Sequence, residues 1–285
     1  MRKNIRFVGS SNRSPEIYYD LAALSSEDFA FLSPINLPDW CLKTAKWLSK
    51  SSRIGEIGVG KGKLACLTIQ CASNDLYFAL IDISSNMLDV TEKNIGHLKK
   101  SFVTTRSFKL DISTKTEINF LDDKLDKLIA VNVLQDVEIN QSLTNMRALL
   151  NKGSEIRLTF ISKETQDDFL KDDPNYDSSE GIIYASSSFH KEKQITPLGF
   201  FKDKEGGEEP FYRINRCYKH DDICNLLEKN SFELKTIEPI IYPTHYLWQR
   251  WKSRYYSISL TERQFKLIED WGGYPDGWDV IATAI

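Results

Sequence analysis

The chain has 285 residues, 41% of them hydrophobic and 27% charged, enough for one sizeable core or a core with caps. A formal net charge of −3 argues against a non-specific nucleic-acid binder, and no apolar run approaches a membrane span. Neither nucleic acid nor membrane is therefore expected as a partner. The opening "MRKNIRFVGSSNRS" starts basic but lacks the apolar stretch of a signal peptide. Five cysteines, an odd number without C-x-x-C spacing, fit a reduced, cytoplasmic setting and predict no metal site.

Residues 1–50 read as a separate N-terminal helical lid segment, rich in aromatics. Its end, "DWCLKTAKWLSK" (39–50), is an amphipathic helix with Cys41, Thr44, Ala45 and Leu48 on one face. From 51 to 285 the chain reads as a core with insertions at about 163–210 and 242–270. "RIGEIGVG" (53–60) is a strand entering a turn, and "GKLACLTIQCAS" (62–73) a helix. "YFALIDIS" (77–84) is a buried strand, followed by the helix "SSNMLDVTEKNIGHL" (84–98), capped by Ser84 or Ser85. Further strands are predicted at 101–112 and 126–134. A helix over 139–151 ends at Gly153, and a strand follows at 154–162. This alternation predicts an α/β fold with a mainly parallel sheet and helices on both faces. Residues 163–210 are polar and punctuated; a long loop of this kind is functional or disordered. A helix and strand are predicted within 217–239, a helix within 242–270, and a last strand over 277–285. The late strands suggest an antiparallel edge pair.

The stretch "GEIGVGKG" (55–62) offers three motifs. Gly55, Gly60 and Lys61 begin a nucleotide-phosphate loop, but Gly62 stands where a metal-holding hydroxyl belongs, and "KLIAVNVL" ends in no acid. Gly58 and Gly60 begin a dinucleotide fingerprint, but Lys63 replaces its last glycine. The pattern [DE]-x-G-x-G-x-G is met in full by Glu56, Gly58, Gly60 and Gly62. Twenty residues beyond Gly62, Asp82 ends the strand "ALIDIS", where an ionised carboxylate can accept from two hydroxyls.

In these residues the sequence resembles the class I S-adenosylmethionine-dependent methyltransferases. The likeness extends through "IDISSNML", "KLDI", "LDKLIAVNVLQDV", "LLNKGSEIRLTF" and "GWDVIATAI". It covers residues 51–162 well, 217–285 in part, and 1–50 and 163–210 poorly. The resemblance implies a Rossmann-like, mainly parallel seven-stranded sheet with an antiparallel C-terminal strand, plus the lid and substrate-capping insertions. It implies S-adenosyl-L-methionine as cofactor, with S-adenosyl-L-homocysteine as product. Glu56, Gly58, Gly60, Gly62, Asp82, Ile83, Met87, Asp111, Ile112 and Asn132 are the cofactor-binding residues it implies. In that family the acid at the first strand's end lies near the methionine moiety. Asp82 would take the ribose, and Asp111 with the backbone of Ile112 the adenine. The non-ligand alternatives are a solvated strand end for Glu56 and helix caps or turn acids for Asp82 and Asp111.

Methyl transfer needs alignment and dryness more than a marked catalytic group. Candidate catalytic residues are Asp136, His190 and Tyr19. Candidate substrate contacts are Tyr18, Trp40, Gln135, Tyr184 and His245. Asp136 can act as a base or accept from a substrate amine, or it can be a solvent-facing helix cap. Aromatics in 1–50 and in the insertions suit a small organic or peptidic substrate. The acids Asp20 and Asp136, and the lack of the metal-site pattern of catechol enzymes, favour transfer to nitrogen over oxygen. The alternatives are a cofactor-binding protein without transferase activity (a sensor or partner subunit) and an aminopropyl-type transferase.

Overall fold

The computed structural model describes residues 7–8, 34, 37–98, 100–115, 121–170, 176–185, 199–202, 208–242 and 273–285. Helix α1 (Pro38–Leu48) opens on a proline, whose missing N–H costs nothing in a first turn. It buries Cys41, Thr44, Ala45 and Leu48, the face its sequence predicts. Then come β2 (Arg53–Ile57), α2 (Lys63–Cys71), β3 (Leu76–Asp82), α3 (Ser85–Gly96), β4 (Val103–Lys109), β5 (Leu125–Ala130), α4 (Ile139–Ala148) and β6 (Leu150–Ser162). A two-residue strand, β1 (Phe7–Val8), precedes them all. After β6 come α5 (Lys163–Leu170), β7 (Tyr176–Asp177), β8 (Ile182–Ala185), β9 (Gly199–Lys202), β10 (Glu208–Tyr218), α6 (His220–Lys229), β11 (Phe232–Tyr242) and β12 (Tyr274–Ala284).

The strands β4, β3, β2, β5 and β6 lie side by side in that order, each pair parallel. β12 pairs with both β6 and β11. Gly273 packs against the carbonyl of Tyr242, while Ile285 N–H donates to Ser231 O. The start of β12 thus meets the end of β11, so the two run antiparallel. Seven strands therefore form the expected sheet.

The described residues fall into two compact units. One takes those within Pro15–Thr159, Asp221–Glu238 and Asp279–Ile285. Its core is built from fully buried Ile54, Phe78, Leu80, Leu128 and Ile129 on the central strands. Each such side chain contributes about 1.5–3 kcal/mol on leaving water. Ala45 and Leu48 of α1 belong to the same cluster as Leu64, Ala65 and Ile69 of α2. The other unit takes the described residues within Met1–Ser14, Phe160–His220 and Pro239–Trp278. In it β10 pairs antiparallel with β8 and β9 and parallel with β1. Lys163 Nζ donates to Asp167 and to Ser178 O, and Tyr176 Oη donates to Asp167 at 2.6 Å.

Two local expectations are corrected. Helix α4 does not end at Gly153; its C-cap is Leu149, and Leu150 already pairs with Leu125. Pairing resumes at Lys127 with Glu155, so β6 carries extra residues there, with Gly153 at φ +86° among them. Gly153 thus shapes an irregular strand rather than a helix end. Residues 163–210 are not one loop, since α5, β7, β8, β9 and the start of β10 fall within them. The helix predicted within 242–270 lies outside the described residues.

Candidate functional site

Parallel strands expose their carboxyl ends to ligands where strand order reverses. In this sheet that place is the end of β2, between β3 and β5. There the chain turns through Gly58, Gly60 and Gly62, at φ +71°, +53° and +76°. Gly58 N–H donates to Ile81 O and Gly62 N–H to Val59 O, closing the turn.

The three glycines serve different ends. A Cβ on Gly58 would lie 2.4 Å from Val133 Cγ2, and one on Gly62 would lie 2.8 Å from Thr91 Cγ2. Those two spaces are filled by the protein itself. A Cβ on Gly60 would meet nothing within 4 Å among the described residues. Of the three, only Gly60 borders open space among the described residues. Thr91 Oγ1 of α3 donates to Gly60 O at 2.8 Å and braces this point. Asn94 Nδ2 donates to Lys61 O.

Carboxylates surround the turn. Asp82 Oδ2 accepts from Gly60 N–H at 3.1 Å and Oδ1 from Ser84 N–H at 2.9 Å. It therefore ties the end of β3 to the glycine turn. Ser84 is the cap of α3, accepting from Met87 N–H at 3.1 Å. Ile83 is half-buried beside it, and Met87 is buried. Glu56, on the central strand, is 3% exposed, and its Oε2 has no hydrogen-bond partner among the described residues. Burial, and then the charge of Asp82, push its carboxyl up to about 8. It is thus no solvated strand end.

Asp111 follows β4. Its Oδ1 accepts from Ser113 N–H at 2.9 Å and Ser113 Oγ at 2.6 Å, an Asx turn. Ile112 is buried. Asn145 Nδ2, from α4, donates to Ile112 O and Thr114 O, each at 2.7 Å.

After β5 the backbone turns sharply. Asn132 sits at φ +55°, and its N–H donates to Thr159 Oγ1 at 2.8 Å. Such a conformation costs a non-glycine residue about 1–3 kcal/mol and gathers at functional turns. Gln135 Nε2 donates to Asn132 O at 2.8 Å, while its Oε1 is buried without a partner among the described residues. Because a carbonyl can only accept, Asn132 O fixes which end of the Gln135 amide faces it. Asp136 is 5% exposed, so it is not the solvent-facing cap of α4. That cap is Glu138, which accepts from Asn140 and Gln141 N–H.

Glu56, Gly58, Gly60, Gly62, Asp82, Ile83, Met87, Asp111, Ile112, Asn132, Gln135 and Asp136 thus lie in one unit, on the ends of β2, β3, β4 and β5 and the segments that follow them. Trp40, in the same unit, is engaged elsewhere. Its Nε1 donates to Asp279 at 2.7 Å, and the Arg157 guanidinium lies 4.8 Å over its ring. Arg157 in turn binds Asp279 through both Nε and Nη2. Tyr184 belongs to the other unit, on β8, in register with Ile214 of that same unit. Tyr18, Tyr19, Asp20, His190 and His245 lie outside the described residues. Asn145 carries no sequence signature, since it meets two backbone carbonyls more than thirty residues away. Among the described residues, no three His, Cys, Asp or Glu side chains are grouped to hold a metal. No helix among them is long and apolar enough to cross a membrane.

No family model matches the chain, and no curated protein does. Solved structures do. A methyltransferase from Haloferax volcanii, in complex with its Trm112 activator, is 10% identical, with TM-score 0.55 over 96% of this chain and 99% of that one. Magnesium protoporphyrin IX methyltransferase from Synechocystis, with S-adenosylhomocysteine bound, is 13% identical, with TM-score 0.53 and 95% of both chains covered. A [4+2]-cyclase is 12% identical, with TM-score 0.50 over 85% of this chain and 81% of that one. With its strand order, its glycine turn and these likenesses, the chain has the Rossmann-like fold of the class I S-adenosylmethionine-dependent methyltransferases.

Proposed function

We propose that the chain is an S-adenosylmethionine-dependent methyltransferase acting on a small organic or peptidic acceptor, with nitrogen preferred as the acceptor atom. The observation that carries this reading is the open space at Gly60, whose N–H donates to Asp82, on the turn that follows the strand of the buried Glu56, whose Oε2 has no hydrogen-bond partner among the described residues. An acceptor-rich edge of this kind suits a ligand that brings hydroxyls, an amino group and positive charge. Bound there, S-adenosylmethionine would supply a methyl group on a sulfonium, a good leaving group. Asp82 would hold the ribose hydroxyls and Glu56 the charged end. Asp111 and Ile112 would hold the base.

For the acceptor, support comes from Gln135 and Asp136. A buried, unpaired Gln135 Oε1 costs about 1–3 kcal/mol unless a donor reaches it. An N–H on the acceptor would relieve that cost, and the Asp136 carboxylate would take the proton. The five free cysteines support a reducing, cytoplasmic setting.

The same fold in a cyclase means that fold does not decide activity. The likeness to a methyltransferase held by an activator favours a second reading, a cofactor-binding chain that needs a partner subunit. Calorimetric titration with S-adenosylmethionine and S-adenosylhomocysteine is the first test, and absence of binding sinks the cofactor assignment. Incubating cell extract with enzyme and methyl-labelled cofactor, read by mass spectrometry, is the second. Binding with no labelled product in any extract favours the partner-dependent reading.

A further inference from the structure

Asn145 is a buried polar residue in the interior of α4, 5% exposed, where asparagine is a poor helix former. Such a residue needs compensation, and here it is nearly complete. Both hydrogens of its Nδ2 are used, one by Ile112 O and one by Thr114 O. Its Oδ1 accepts from Gln141 Nε2 at 3.0 Å, one helical turn earlier. The two carbonyls settle the orientation of the amide, because a backbone carbonyl can only accept. Asn145 therefore draws two carbonyls of the loop after β4 toward α4.

The rest of the loop is tied as firmly. Asp111 O accepts from Thr114 N–H at 3.2 Å and from Thr114 Oγ1 at 2.9 Å. Asp111 Oδ1 takes both donors of Ser113. What is left, with no hydrogen bond among the described residues, is Ile112 N–H as a donor and Asp111 Oδ2 as an acceptor.

We propose that Asn145 is a positioning residue for base recognition: by holding the carbonyls of Ile112 and Thr114 it leaves residues 111–112 presenting one donor and one acceptor, a pair that selects a 6-aminopurine over a 6-oxopurine. This rests on the cofactor reading above. Adenine offers an acceptor at N1 and a donor at its 6-amino group, which complement the pair. Hypoxanthine offers N1–H and O6, which place donor against donor and acceptor against acceptor. Were Ile112 O or Thr114 O released toward the base, the loop would gain an acceptor that N1–H satisfies, and selectivity would fall.

The test is calorimetric titration with S-adenosylhomocysteine and S-inosylhomocysteine. Wild type should prefer the adenosyl ligand by on the order of a hundredfold, two mismatched hydrogen bonds at about tenfold each. Asn145→Leu should weaken the adenosyl ligand by roughly tenfold and reduce the preference to about tenfold or less. A merely structural loss would weaken both ligands equally and leave the preference intact, which overturns the proposal. If Asn145→Leu does not fold, Gln141→Met decides. It frees the Asn145 amide from a half-buried position and should lower the preference to a smaller extent, and an unchanged preference overturns the proposal. Wild type that binds neither ligand overturns the cofactor reading and this inference together. Wild type that binds both ligands equally overturns this inference alone.

Discussion

Glu56 holds a proton that the unfolded chain would give up. Its carboxyl is raised to about 8 by burial and by Asp82, so between the ordinary carboxylate range and pH 8 the folded state binds more protons than the unfolded one. The stability it contributes is full below that range and is lost as pH rises toward 8. Urea unfolding at pH 5 and pH 8 should therefore show wild type weakening with pH, and Glu56→Gln weakening less. Equal slopes would place the Glu56 carboxyl near its ordinary range. Asp82 is already tied to two backbone N–H groups. Asp82→Ala should weaken S-adenosylmethionine by about 1–3 kcal/mol in titration, since the ligand's hydroxyls and Gly60 N–H both lose an acceptor. These two acids were legible in the sequence, because each sits at a fixed distance from the glycine turn. Asn145 and the orphaned Gln135 Oε1 were not, because their meaning lies in backbone carbonyls that only the fold brings near.

The glycine turn separates fold from ligand within a single element. Gly58→Ala forces a Cβ to 2.4 Å from Val133 at a left-handed φ, so it should cost about 2 kcal/mol or more of stability in urea. Gly60→Ala meets no atom within 4 Å and pays only for its backbone conformation, about 1–2 kcal/mol. Its larger effect should be on cofactor titration. If Gly60→Ala binds the cofactor as wild type does, the open space there is not the ligand's. The helices and parallel strands of residues 51–162 were read from apolar runs and caps, and most bounds fall within a few residues of those predicted. The join of α4 to β6 was misread because a glycine after a helix usually ends it. Here Leu150 is already paired, and Gly153 answers to the irregular strand. Strands β7, β8 and β9 give no strand-length pattern because they are only 2, 4 and 4 residues long, and they take their conformation from pairing with β10 and with one another.

At the scale of the molecule, the buried Arg157–Asp279 pair ties β6 to β12, and Trp40 brings in α1. The three residues lie 239 positions apart at their extremes, so no local pattern reveals them. Asp279→Ala leaves a buried guanidinium unpaired and should cost about 3–5 kcal/mol by urea unfolding. A cost below 1 kcal/mol would mean that solvent reaches the pair. Saturating S-adenosylhomocysteine should act in the opposite sense. At a hundredfold excess over its Kd it adds about 2.7 kcal/mol. For the unit that carries the glycine turn this is a rise in melting temperature of roughly 5–11 °C by differential scanning calorimetry. A transition that belongs to the other unit alone should not move.

Cys41 carries a practical consequence. It faces the core from α1, its Sγ 3.8 Å from Pro34 O, and burial pushes its thiol up to about 11. A thiol so placed is almost wholly protonated at neutral pH and closed to reagents. Alkylation at Cys41 can proceed only when α1 lifts from the core, so its rate is a clock for that local opening. Followed by mass spectrometry against the half-buried Cys66 and Cys71 of α2, the slowest of the three modifications would report when the hydrophobic core first comes apart.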